Sequence, residues 1–150
     1  MKKILITLMA LLTITGSCFA AGAAANFTAE ERAADAFVAA LMSNGTFTAT
    51  SRYVASNINE QGFTEAQKQI KEKVGRVNNI NFITYQKNYN IEKSQYVDGQ
   101  EELVYVGSIA GKKDQIARIV VAFAPVDGQQ KIVNFAVNVL TLQKEAPAKK

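Results

Sequence analysis

Apolar residues recur at helical spacing in the first half of the chain and alternate with polar ones in the second. Ala34, Phe37, Val38 and Leu41 fall on one face of a 3.6-residue period. Ahead of them, Thr28 and Glu31 have the spacing of a capping box, in which hydroxyl and carboxylate each satisfy a free amide of the first turn. Asn44-Gly45 follows, with Gly45 suited to the left-handed position that ends a helix. The pattern predicts a first helix from Thr28 to about Asn44. A second helix with a thinner stripe is expected over 47–58, burying Phe47, Tyr53, Val54 and Ile58. After a loop over 59–62, Thr64 and Gln67 form another capping box and open a third helix. It carries Ala66, Ile70 and Val74 and is closed by Gly75.

From Asn79 the period shortens to that of strands. A long first strand is expected over 79–97, broken by a bulge near Asn88 to Asn90. Asp98-Gly99 has the composition of a two-residue hairpin turn. The second strand follows over 101–110, and Gly111 to Asp114 turns the chain. The third, over 115–124, is dense in Ile and Val and is stopped by Pro125. Asp127-Gly128 turns again. The fourth strand, over 131–142, sets Val133, Phe135, Val137 and Val139 on one face and Asn134 and Asn138 on the other. The tail over 143–150 is polar, contains Pro147 and reads as disordered. Three N-terminal helices followed by a four-strand antiparallel meander make an α+β layout, with the helices on one face of a curved sheet. No repeat or linker divides residues 28–142, which read as a single domain.

The N-terminus has a different logic. Lys2 and Lys3 precede an apolar run of eleven residues, Ile4 to Ile14, and then the small residues Thr15, Gly16 and Ser17. Charge, apolar run and small-residue site in that order are the signature of export. The run is shorter than the roughly 20 apolar residues that cross a bilayer. No later stretch is longer, so no membrane span is expected. Residues 1–20 therefore read as a signal peptide cut after Ala20, with 21–27 as a flexible spacer. The protein would be periplasmic or secreted. Gly16-Ser17-Cys18 also partly resembles a lipoprotein box, in which Cys18 would be acylated and hold the domain at a membrane. Such a box normally has Leu three residues before the Cys, where this chain has Thr15.

Charge and cysteine follow from that reading. All 13 acidic residues lie after position 20 and two of the 17 basic ones precede it, leaving a net charge of +2 after cleavage. The bases are scattered and not interleaved with aromatics, which argues against a nucleic-acid partner. Cys18 is the chain's one cysteine, so the exported domain would have neither disulfide nor thiol chemistry and must rely on its core.

The stretch Asn44-Gly45-Thr46-Phe47 after a capped helix resembles the opening of small exported domains of the nuclear-transport-factor-two-like superfamily, the cystatin-like cone folds. Ile119 to Phe123, the Asp127-Gly128 turn and Lys131 to Phe135 are similar to their final hairpin. The resemblance covers most of 28–142 without a unique signature. It implies a sheet wrapped around the long helix with a pocket at the open end. The superfamily includes isomerases and dehydratases as well as non-enzymatic binding and assembly modules, so fold alone leaves function open.

The chemistry is narrowed by what is missing. The sequence has no His, which removes the commonest general base and, with no cysteine after position 20, leaves no usual zinc or nucleophile system. No phosphate-binding glycine motif occurs, and no cofactor is expected. Among carboxylates, Asp35 is the candidate catalytic residue. A cone-fold enzyme could raise its pKa by burial, but its place on the flank of the apolar stripe points it to water. Glu101 and Glu102 read as a solvated strand edge. Arg118, in an apolar strand, could bind an anionic ligand through its planar fork, pair with Glu102 or another carboxylate, or reach water. Tyr85 and Tyr89 alternate with Lys87 along the first strand and Tyr105 lies on the second. On one face these tyrosines would be candidate ligand-binding groups; otherwise they pack across strands.

The sequence thus points to an exported non-enzymatic module that binds a small ligand or an envelope protein. An assembly role through a homodimer stands second, and an isomerase- or dehydratase-like enzyme using Asp35 and a tyrosine third. Intact mass of the processed protein tests the export reading: an N-terminus at Ala21 is expected, and an acylated Cys18 would place the domain on a membrane instead.

Overall fold

The computed structural model describes residues 21–142, so Cys18, the cut after Ala20 and the tail over 143–150 lie outside the described residues. The architecture is α+β. Helix α1 (Ala21–Met42) is followed by two short 3-10 turns, Phe47–Ala49 and Ser51–Tyr53, and by helix α2 (Glu60–Lys73). Four strands then run β1 (Val77–Asn90), β2 (Gln95–Ile109), β3 (Lys112–Val126) and β4 (Gln129–Thr141). They form one antiparallel sheet in the order β1-β2-β3-β4.

There are two α-helices, not three. The expected helix over 47–58 is replaced by the 3-10 turns because its hydroxyls bond to backbone carbonyls three residues back. Thr50 Oγ1 donates to the Phe47 carbonyl at 3.0 Å and Ser51 Oγ to the Thr48 carbonyl at 3.1 Å. The chain then extends, and Val54 bridges in parallel to Ile132, with the Ala55 amide on the Ile132 carbonyl at 2.9 Å.

Neither capping box forms. Thr28 stands inside α1, which begins at Ala21. Helix α2 is capped by Asn59, whose Oδ1 accepts from the Gly62 amide at 2.8 Å, and so starts a turn before Thr64. Gln67 instead donates to the carbonyls of Ala40 at 3.0 Å and Gly45 at 2.9 Å, closing the end of α1 from the side. The left-handed residue there is Asn44, at φ 57°. Gly45 serves by size: a Cβ on it would lie 2.8 Å from Ala40 Cα. Gly75, at φ 97°, ends α2 as its sequence position implies.

The core lies between the helices and one face of the sheet. Phe37 is fully buried on α1 and meets Phe63 of α2 at 5.6 Å and Phe135 of β4 at 5.1 Å between ring centroids, edge-on in both cases. Leu103, Tyr105, Ile119, Val121, Phe123 and Ile132 supply the sheet side. Arg118, Val120 and Ala122 lie on the opposite face, as the alternation of β3 predicts.

The turn between β1 and β2 and the bulge have exchanged places relative to expectation. The hairpin turns over 91–94, where Asn90 Oδ1 accepts from the Lys93 amide at 2.7 Å. Asp98-Gly99 lies inside β2. Between the Lys87–Glu101 and Tyr89–Tyr96 pairs, one residue of β1 faces four of β2. Asn88 at φ 57° and Gly99 at φ 73° take the left-handed conformations this requires, and Asn88 Oδ1 accepts from the Gly99 amide at 2.9 Å.

This wide bulge folds the hairpin tip back over the sheet face that looks away from the helices. There the Ile91 amide donates to Glu102 Oε2 at 2.8 Å, and Gln100 Nε2 to Glu102 Oε1 at 2.6 Å. Glu92 pairs with Arg118 and accepts from Asn138 Nδ2 at 3.4 Å. Glu102 is only 1% exposed, and Val104, Val120 and Ala122 on the same face are buried. Strand β3 continues through Pro125 to Val126, beyond its expected stop. Its pairing with β2 ends at Glu101–Phe123, so Pro125 owes that strand no N–H.

Gly45→Ala should destabilise the fold by about 1–3 kcal/mol, the usual cost of overpacking, read as a lower urea midpoint at unchanged slope. An unchanged midpoint would show that the end of α1 can relax away from the new methyl.

Candidate functional site

The residues singled out from sequence do not converge on one site. Asp35 and Tyr105 are brought together: the Tyr105 hydroxyl donates to Asp35 Oδ1 at 2.7 Å. Asp35 is exposed, as its flank position implies, while the body of Tyr105 is buried and packs edge-on against Phe82 at 5.8 Å. Burial holds the Tyr105 phenol far above the ordinary tyrosine range, and its hydrogen bond to Asp35 and the charges of Asp35 and Glu31 raise it further. Tyr85 lies on the same sheet face. Its pKa is also pushed up, by burial first, then by the charge and hydrogen bond of Glu101, then by the charge of Glu30.

Tyr89 does not join them. It sits beyond the bulge, opposite Tyr96, with both rings largely exposed. Arg118 faces the other side of the sheet and is engaged by Glu92, a carboxylate the sequence could place there only once the hairpin tip was located. Glu101 and Glu102 are the clearest reversal. Both were expected at a solvated edge, and both are buried within β2, on opposite faces. Glu101 has Lys87 across the strand pair at 3.9 Å. Burial raises the Glu102 pKa, and Glu92 adds to the rise; the bonds from the Ile91 amide and Gln100, and the charge of Arg118, oppose it.

Two surface grooves flank α1. One, of about 460 Å³, lies at its C-terminal end between Leu41–Asn44, Gln67 and Gly75–Asn78. Helix α2 gives it two polar groups, Lys71 and Gln67, and Gln67 is committed to two backbone carbonyls. The other, of about 580 Å³, lies beside the N-terminal half of the helix. Its walls come from Glu30 and Ala33 of α1, Arg52 and Tyr53 of the second 3-10 turn, and Phe123, Gln130 and Lys131 of the β3–β4 hairpin. The Val54–Ile132 bridge fixes the turn against β4, which is why residues so distant in sequence share a groove.

The second groove is chemically unfinished. Glu30 Oε2 and Gln130 Oε1 are buried from solvent and accept no hydrogen bond. A buried acceptor without a donor costs about 1–3 kcal/mol. The cations of the lining are turned to neutral groups. The Arg52 guanidinium lies 4.6 Å over the Tyr53 ring and donates to its hydroxyl. Lys131 Nζ donates to the Arg52 carbonyl at 2.6 Å. Sequence reading passed over Glu30, Arg52, Gln130 and Lys131 because each is an ordinary surface residue type at an unremarkable position. The only signal was Glu30 within the turn before the apolar stripe.

Among the described residues no group of three or more His, Cys, Asp or Glu side chains is placed to hold a metal ion, and no helix is long and apolar enough to cross a membrane. The chain matches no family model, no curated protein and no solved structure.

Glu102 gives a pH test of the buried face. Its folded-state pKa is raised, so the folded chain holds this proton more tightly than the unfolded one. Its contribution to stability is therefore greatest in acid and falls as pH rises from the ordinary carboxylate range through the folded value. Glu102→Gln should flatten the stability profile on the alkaline side of the ordinary carboxylate range, measured by urea unfolding. Identical slopes in the two proteins would mean that Glu102 titrates like a surface acid.

Proposed function

We propose that the chain is an exported, non-enzymatic binding module whose ligand sits in the groove beside the N-terminal half of α1. The reading is supported by the groove itself, which gathers Glu30 and Ala33 of α1, Arg52 and Tyr53, and Phe123, Gln130 and Lys131 around one opening. Export rests on the charge, apolar run and small-residue order of residues 1–20. The kinship with nuclear-transport-factor-two-like domains is supported by helices that precede and cover one face of an antiparallel meander.

An isomerase-like enzyme is the second reading, and the Tyr105–Asp35 hydrogen bond favours it, since it joins the two groups such chemistry would use. Neither residue lines either of the two grooves beside α1. That ranks binding above catalysis. Asp35→Asn with undiminished turnover of any substrate found would remove the enzyme reading as assigned.

Native mass spectrometry of the protein purified from its own host should show extra mass from a retained small molecule. Ala29→Trp, an exposed wall position of the groove, should abolish that mass while leaving the circular dichroism unchanged. Retention of the mass by the Trp variant would move the site elsewhere.

A further inference from the structure

The two edges of the sheet are built differently. Strand β1 is broken by register shifts between Asn78 and Asn81, Phe82 and Thr84, and Lys87 and Tyr89, with Asn79 and Asn88 in left-handed backbone. Breaks of this kind, and a charge such as that of Lys87, keep a further strand from adding to an edge. Strand β4 has one shift against β3, between Ala122 and Phe123, and then pairs without interruption from Asn134 to Thr141. No charged residue, Pro or Gly occurs from Ile132 to Gln143.

The backbone directions along β4 follow from its bonds. The Leu142 amide donates to the Asp114 carbonyl at 2.7 Å. The alternation of an antiparallel ladder then turns the even residues from 134 to 142 toward β3 and the odd ones, Phe135 to Thr141, off the edge. The Phe135 amide agrees, since it donates to Asn134 Oδ1 at 2.9 Å. Ahead of Phe135 the edge is already filled: the Ala55 amide donates to the Ile132 carbonyl, and Asn57 Nδ2 to the Val133 carbonyl at 2.8 Å. Beyond it, no hydrogen bond among the described residues reaches the outward amides and carbonyls of Val137, Val139 and Thr141. Val139 and Leu142 are among the large apolar side chains left exposed.

We infer that this end of β4 binds a second copy of the chain, β4 against β4, antiparallel about a two-fold axis at Val139. That register sets Val139 against its copy and Val137 against Thr141, so the open backbone groups of each copy meet one another. An axis nearer the start of β4 would drive the incoming strand into the Asn134 cap or the segment over 54–57. A second copy suits the edge because the stretch is uncharged: no like charges meet, and Val139 gains a β-branched neighbour directly opposite. The assembly also closes. Joining the two β4 edges leaves the broken β1 edges as the ends of the combined sheet, and neither can template a further strand. The groove beside α1 borders the start of β4, at Gln129 to Lys131, so the interface lies at the other end of the strand and is independent of the groove.

Sedimentation velocity and amide hydrogen exchange of the processed protein, from micromolar to millimolar concentration, test the inference. A monomer–dimer equilibrium is expected. Exchange of the Val139 and Thr141 amides should slow about tenfold or more as the dimer forms, while the β1 edge stays unchanged. Val139→Lys sets two lysines face to face at the axis. It should raise the dissociation constant about fivefold or more, the effect of like charges directly opposite. The circular dichroism should not change, because the Val139 side chain is exposed and its amide is not used by β3. A monomer at every concentration overturns the inference, including one that carries another protein's strand on this edge. A dimer in which the Val139 and Thr141 amides exchange as fast as in the monomer also overturns it, by placing the contact elsewhere; that reading needs no variant. Equal dimerisation of a folded Val139→Lys protein overturns it as well.

Discussion

The contacts of Phe37 hold the helical layer on the sheet. Its ring reaches α2 through Phe63 and β4 through Phe135, and it has no exposed surface. Burial of such a side chain contributes about 1.5–3 kcal/mol, and each edge-on ring pair adds about 0.5–1.5 kcal/mol. The described residues contain no cysteine, so no covalent link shares the task. With Phe37 fixed, the direction of α1 across the sheet is fixed too. One end of the helix then meets Gln67, which closes its last carbonyls. The other half overhangs the start of β4, where Glu30 and Ala33 look across at Gln130 and Lys131.

Polar groups follow a consistent rule over most of this structure. A carboxylate near the sheet is placed where a phenol, an amide or a cation can meet it. The two faces solve the problem differently. On the helix side, tyrosines from β1 and β2 reach Glu101 and Asp35. On the far side, the folded-back hairpin brings its own backbone and Glu92 to Glu102 and Arg118. The oxygens of Glu30 and Gln130 depart from that regularity, although the same fold satisfies harder cases such as Glu102. Arg118 Nε, also buried without an acceptor, belongs to a guanidinium already held by Glu92.

Much of the fold was legible because its signals were local. The period of Ala34, Phe37, Val38 and Leu41 gave the buried face of α1, and the alternation of Ile116 to Phe123 gave both faces of β3 correctly. The Asp127-Gly128 turn was also read correctly, with both residues at positive φ. The errors arose where one composition permits two structures. Asp-Gly favours left-handed backbone, which a hairpin turn and a wide bulge both use, and only pairing across the sheet decides between them. A Thr at capping spacing is equally at home inside a helix when residues before it are helical, as Thr28 is in α1. The misplaced turn then concealed the chemistry on that hairpin: with 98–99 as a loop, Glu101 and Glu102 seemed to border solvent, and nothing placed Glu92 beside Arg118. The groove was illegible for a different reason. Its walls come from residues 30, 52 and 130, joined by no periodicity at all.

The parallel bridge between Val54 and Ile132 also bears on how the molecule assembles. Every strand pair in the sheet joins neighbours in sequence and can zip from its own turn. The bridge joins segments separated by α2 and most of the sheet, and it gains nothing until these have closed the intervening loop. Arg52, Tyr53 and Lys131 stand beside that closure, so the groove takes shape only once it is made. A partly folded chain would then have a sheet and helices before it had this groove, so the groove reports on completed folding.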